Sequence, residues 1–300
     1  MNSSRRTFIK NSSIILAGSA LVSNPYASAI NNKQEKLAIQ LCSVDKEMHD
    51  DAERTLTTLK KIGYKYVEHA GYVSRKFYGF SPLEFRSLVN DCGLTLLSGH
   101  TVLRLQHWDE ANQTFTPEWH NIIEDAAMAG QQFLITPWLD RSLWNDEKKL
   151  KGFMEVFNRS GELCKKAGLQ FGYHNHDFEF THTFGSQRLY DIILQHTDPK
   201  LVAQQLDIGN ISHHEFPVTD ILAQYPGRFH LMHVKDKTQT NEKYRGYKSV
   251  TVGDGLLDMN SIIAKARLTG GTYNFIIELE NDSTLEPFNC AKKNYEVFTI

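Results

Sequence analysis

Histidine and carboxylate side chains gather at the ends of short apolar runs. One run closes in His174-Asn175-His176-Asp177-Phe178-Glu179, another in Asp207, a third in His233, Lys235 and Asp236, and the last in Glu278 and Glu280. Earlier runs end in Gln40, in Glu68 with His69, and in Gly99-His100. Imidazole mixed with carboxylate suits a divalent ion of the Mn, Co, Zn or Mg type, with positions left open for a substrate oxygen. A lone histidine at such a place is more often a hydrogen-bonded core residue. Convergence of Asp, His and Glu from successive runs is what points to a metal.

Side chains so far apart in sequence meet only if the runs lie side by side. From Lys36 onward short apolar runs alternate with stretches of helical period, the pattern of a parallel sheet covered by helices. The runs are Leu37 to Leu41, Tyr66 to Glu68, Leu94 to Ser98, Phe133 to Thr136, Leu169 to Tyr173, Val202 to Leu206, Phe229 to Val234 and Asn274 to Leu279. Helices are predicted over Ala52 to Ile62, Pro82 to Asp91, Trp119 to Ala129, Asp146 to Ala167, Ser186 to Gln195, Val218 to Gln224 and Asn260 to Ala266. Gly63, Gly93, Gly130 and Gly168 each follow a predicted helix, where a left-handed residue closes the last turn. Eight strands with a helix after most of them predict an α/β (β/α)8 TIM barrel, with an open doubly wound sheet as the alternative, and a barrel places its site at the strands' C-terminal ends. With no tandem repeat or linker, residues 30–300 read as one domain.

The first 29 residues stand apart. Ser4-Arg5-Arg6-Thr7-Phe8-Ile9-Lys10, a moderately apolar stretch and Ala27-Ser28-Ala29 read as a twin-arginine-like export signal cut after Ala29, which predicts a periplasmic protein. The segment holds three basic and no acidic side chains, so the remainder carries a formal charge of about −5. That balance argues against a nucleic-acid partner. No apolar run is long enough for a membrane span. Cys42, Cys92, Cys164 and Cys290 form no CxxC pair and are expected as buried free thiols.

Four segments in order, Gly172-Tyr-His-Asn-His-Asp-Phe-Glu-Phe180, Gln205-Leu-Asp-Ile-Gly-Asn210, His233-Val-Lys-Asp236 and Phe275-Ile-Ile-Glu278, resemble the xylose-isomerase-like barrels, in the sugar phosphate isomerase/epimerase branch and the related branch acting on 3-keto-glycosides. The resemblance implies one metal ion held by Glu, Asp, His and Glu from strands five to eight. Asp207, His233 and Glu278 match the last three positions. Strand five departs, with His174 where Glu is usual. Either Glu179 completes the shell, the preferred reading because a further carboxylate balances the metal's charge, or His174 or His176 binds metal and Glu179 contacts substrate.

The resemblance further implies proton abstraction next to a carbonyl, which needs a Lewis acid and a well-placed base. Glu278 and Glu179 are the candidate bases. His176, His100 and His174 are candidates for proton relay or hydroxyl binding, and Lys235 for neutralising oxyanion charge or pairing with Asp236 or Glu280. Glu68 is a candidate to orient a metal-site histidine, and Trp138, Trp144 and Phe178 to face a sugar ring. The expected substrate is a sugar or keto-sugar, free rather than phosphorylated, since no phosphate loop is visible. Isomerisation or epimerisation is the first reading and β-elimination from a 3-keto-glycoside the second. A noncatalytic sugar-binding barrel ranks below them, and so does a three-metal nuclease, which needs a histidine where Asn210 stands.

Overall fold

The computed structural model describes residues 34–211, 217–240, 246–280 and 286–299, so the expected export segment lies outside the described residues. Eight parallel strands close on themselves: β1 (Lys36–Gln40), β2 (Tyr66–His69), β3 (Thr95–His100), β4 (Phe133–Thr136), β5 (Gln170–His174), β6 (Val202–Asp207), β7 (Leu231–Val234) and β8 (Asn274–Ile277). The ring is completed by β1 against β8, in register from Lys36 with Asn274 to Ile39 with Ile277. The predicted barrel is the observed one. Around it run α1 (Ala52–Ile62), α2 (Pro82–Asp91), α3 (Pro117–Met128), α4 (Glu147–Lys166), α5 (Leu189–His196), α6 (Val218–Gln224), α7 (Met259–Lys265) and α8 (Pro287–Thr299). The last of these went unpredicted.

Strand residues alternate between two environments. One set, Ala38, Leu97, Phe133, Ile135, Ala203, Leu231 and Ile276, fills the barrel's interior as a closed apolar plug. The other set, including Ile39, Val67, Leu134, Phe171, Tyr173, Leu206 and Phe275, packs beneath the helices. Polar groups one step beyond the plug, toward the strands' C-terminal ends, therefore face inward, and this is where the site forms. A bulge adjusts the phase: Val67 pairs with Leu96 but Glu68 with Ser98, so Leu97 is the extra residue. It turns Ser98 and His100 inward, where Ser98 meets Glu68.

The frame is tied at its lower corner by a buried arginine that, among the described residues, is hydrogen-bonded to no carboxylate. Arg228 donates from Nη1 to the carbonyl of Val202 at 2.9 Å, and from Nη2 to the carbonyl of Thr197 at 3.1 Å and its Oγ1 at 2.7 Å. Burial lowers its pKa to about 10. Arg228→Ala leaves these acceptors dry, and urea unfolding should show a loss of about 2 kcal/mol with an unchanged slope.

Asp236 is likewise structural. Its carboxylate accepts the amides of Gly253 and Gly255, each at 3.0 Å. A Cβ on Gly255 would stand 2.1 Å from Asp236 Oδ1. The glycine-rich turn Val252-Gly253-Asp254-Gly255 is thus stapled to the residue after Lys235. The four cysteines are free, as expected, but only Cys164 and Cys290 are buried.

Candidate active site

At the interior's upper layer a single buried carboxylate organises the polar groups. Glu68 Oε1 accepts from Gln40 Nε2 at 2.7 Å, faces His233 Nε2 at 2.6 Å and lies 3.2 Å from His100 Nε2. Its Oε2 accepts from Ser98 Oγ at 2.5 Å and Gln205 Nε2 at 2.7 Å. Because Gln205 donates its amide to Glu68, its Oε1 is left to accept, and His174 Nδ1 and His100 Nε2 both stand 2.8 Å away. His174 therefore carries its proton on Nδ1. Its Nε2 keeps a lone pair, 3.6 Å from Asp207 Oδ2.

Asp207 is held from several sides. Asn210 donates its backbone amide to Oδ1 at 2.9 Å and its side-chain amide to Oδ2 at 2.8 Å, while Asn175 Oδ1 accepts the Asp207 backbone N–H at 2.9 Å. Glu278 Oε2 lies 2.8 Å from His233 Nδ1. Donor atoms of Asp207, His233 and Glu278 all lie within 4.8 Å of one another, as do those of His100, His174 and His233. Lys235 Nζ sits over the carboxylates, 2.6 Å from Glu280 Oε1, 3.4 Å from Glu278 Oε2 and 3.5 Å from Asp207 Oδ2. Of the two partners expected for Lys235, it takes Glu280.

Two expected residues are carried elsewhere. Glu179 opens the short helix Phe178–Thr181 and turns behind β5, where Tyr173 Oη donates to its Oε1 and the His176 amide donates to its Oε2 at 2.9 Å. Tyr173 belongs to the layer under the helices and packs on Phe157 of α4. A carboxylate five residues past His174 thus reaches the outer face of the strand and joins neither donor group. His69, next to Glu68, also faces outward, against Phe77 and Gln131. Its ring occupies the space a Cβ on Gly99 would need, 1.8 Å from Nε2.

A cavity of about 520 Å³ opens over the donors and is lined by His100, His174, His176, Lys235, Glu278 and Glu280. Trp138 lines it too, with its ring 5.0 Å from that of His176, whereas Trp144 and Phe178 stack on each other at 3.9 Å behind it. Residues 56–298 match the xylose isomerase-like TIM barrel family. The chain belongs to that family. It is 24% identical over 277 residues to an inosose dehydratase of Geobacillus kaustophilus, covering 81% of this chain and 85% of the relative. Among solved structures it resembles a sugar phosphate isomerase/epimerase from Parabacteroides distasonis, with 27% identity, a TM-score of 0.74, and 88% and 93% of the two chains covered. It also shares its fold with the IOLI protein, solved with a zinc atom, at 14% identity and a TM-score of 0.67, over 88% of this chain and 96% of that one.

The electrostatics of this family member follow from burial set against pairing. Burial works against the charge on Glu68, but His100 and His233 hold its pKa well below the usual carboxylate range. Burial would also disfavour the His233 imidazolium, yet Glu68 and Glu278 raise its pKa to about 10. His174 is pushed well down, first by burial and then by His233 and His100, and His176 falls to about 4 from burial and Lys235. Both are neutral near pH 7. Glu278 is held low against burial by Lys235 and His233, and Lys235 is raised against burial by Asp207, Glu278 and Glu280.

Sequence reading passed over Gln205 and Ser98 as site residues. Gln205 could have been found from period two, since it stands two residues before Asp207 on a strand whose alternate positions face inward. Ser98 could not, because its direction depends on the bulge.

Proposed function

We propose that this protein is a divalent-metal-dependent enzyme that removes a proton next to the carbonyl of a sugar or keto-sugar. The observation that carries the reading is the convergence of Asp207, His233 and Glu278, the last of which lines the cavity on the barrel's C-terminal face. The donor set fits a divalent ion. Two carboxylates and one imidazole come together, and His174 presents a neutral Nε2 toward Asp207. We assign the strand-five position to His174 in place of Glu179. Such an ion would polarise a carbonyl and an adjacent hydroxyl, acidifying the C–H between them.

The chain's own groups supply the rest. Glu68 fixes the ring of His233 from the side away from Asp207 and Glu278, as a carboxylate behind a liganding histidine does. Lys235 offers a fixed positive charge to oxyanion character developing above Glu278. His176 is neutral and lines the cavity; its buried Nδ1 has no hydrogen-bond partner among the described residues, and Nε2 is the atom we assign to take or return the proton. Returning it to the neighbouring carbon or to the other face makes the enzyme an isomerase or epimerase. Expelling a β-substituent instead makes it a lyase, and the likeness to an inosose dehydratase favours that second outcome.

Metal analysis of purified protein should find about one divalent ion per chain, and Asp207→Ala with His233→Ala should lose it. In D2O the wild type should exchange a proton next to the carbonyl of at least one member of a ketose and keto-glycoside panel. Full metal retention in the double variant would sink the assignment, as would no exchange on any substrate. We further propose export on the strength of the Arg5-Arg6 signal; fractionation with N-terminal sequencing tests it, a mature chain beginning at Ile30 being the expected result.

A further inference from the structure

The cavity extends well past the donors. Its inner end lies over strands β5 to β8. Its outer end runs toward the loops after β2, β3 and β4, where Tyr72, Val73, Arg104, Glu118, Ile122 and Trp138 line it. A volume of about 520 Å³ falls in the range, roughly 300–1,000 Å³, of pockets that enclose a drug-sized molecule. A single sugar ring held at the donors leaves the outer end unfilled.

That outer end is constructed at a cost. Tyr72–Val73 and Lys76–Phe77 form a hairpin whose two turn residues, Ser74 at φ 51° and Arg75 at φ 62°, are left-handed without being glycine or asparagine. That conformation brings Cβ close to the following carbonyl oxygen and is disfavoured for any residue that carries a Cβ. A latch holds the strained turn in place. Arg75 grips Asp125 of α3 through Nη2 at 2.6 Å and Nε at 2.9 Å and reaches Glu124 at 3.1 Å, while Tyr72 Oη donates to Asp125 Oδ2 at 2.7 Å. The Asp125 carboxylate is buried beneath them. What the latch positions is Val73, 73% exposed at the cavity's edge. Trp138, Tyr72 and Ile122 offer apolar surface, and the exposed Arg104 and Glu118 offer hydrogen-bonding groups. Flat apolar faces rimmed by polar side chains suit a ring.

We propose that the outer end is a subsite for a second ring joined to the reacting sugar, so that the preferred substrate is a two-ring glycoside and the Tyr72–Phe77 hairpin sets that preference. The proposal rests on the sugar-directed reading above. An aryl ring and a second sugar share the required shape.

Binding without turnover separates the subsite from the chemistry. The full-length protein is titrated calorimetrically with methyl, phenyl and glucosyl β-derivatives of xylose, glucose and galactose. In at least one series the phenyl or the glucosyl compound should bind about ten-fold more tightly than the methyl one, and which of them gains identifies the ring. Val73→Trp, which fills the outer end from an exposed position, should abolish the gain and leave methyl-derivative affinity within about two-fold. Arg75→Met, which frees the hairpin without filling anything, should reduce the same gain. Equal affinity across every series, no binding in any, or a gain that survives both variants overturns the subsite. Metal content and deuterium exchange on one-ring ketoses do not involve the hairpin, so their failure in wild type would overturn the functional reading alone.

Discussion

Glu68→Ala should lower stability by about 3–5 kcal/mol, the loss typical of removing one partner from a buried charged pair. The residue is fully buried and satisfies Gln40, Ser98, Gln205 and His233 at once. Deleting it leaves four donors dry in the barrel's interior. Glu68→Gln should recover part of the loss, since an amide can still accept from Gln40 or Ser98 but cannot balance an imidazolium. The pH dependence follows from the two pKa directions. Glu68 is depressed, so its contribution is present above its ordinary value of 4.5 and fades as pH falls through the lower folded value. His233 is raised to about 10, so its contribution is complete below 6.5 and fades as pH rises toward 10. In chelator-treated protein, urea unfolding should therefore show the largest difference between wild type and Glu68→Ala from about pH 4.5 to 6.5. A difference under about 1 kcal/mol in that window would mean that the network contributes little to the fold.

The reach of sequence reading is clear from individual residues. Inward-facing Asp207, His233 and Glu278 were legible because each stands at or just past the end of an apolar run, and a barrel fixes which strand end faces the cavity. His69 was not, because adjacent strand residues point to opposite sides and only pairing shows that Glu68 takes the inside. Ser98 depends on the bulge at Leu97, which has no signature in the local sequence. The Arg75–Asp125 latch joins residues 50 apart through a hairpin whose turn lacks the usual Asn-Gly signal. Helix α8 was passed over because its polar face obscures the burial of Cys290, Ala291 and Asn294.

Glu179, expected as the fourth ligand on grounds of charge balance, stands outside both donor groups and offers the sharpest test of the ligand assignment. Glu179→Gln should stabilise the protein at neutral pH by roughly 3 kcal/mol and leave its metal content intact. The carboxyl is fully buried and no basic side chain pairs with it among the described residues; burial raises its pKa to about 8 against an ordinary 4.5. A raised acid reverses the usual dependence: the folded state binds the extra proton, so stability falls as pH climbs from 4.5 to 8 and levels off above. Glutamine reproduces the protonated form. Its carbonyl can accept the His176 amide and its NH2 can donate to Tyr173 Oη, the two contacts the carboxyl makes. Thermal unfolding from pH 5 to 9 should thus show a falling melting temperature for wild type and a flatter profile for Glu179→Gln, with the curves meeting near pH 5. A metal ligand would behave in the opposite way, because an amide binds a divalent ion far more weakly than a carboxylate does. Loss of bound metal in Glu179→Gln, with destabilisation at pH 7, would return the fourth position to Glu179; retention with added stability would leave it with His174.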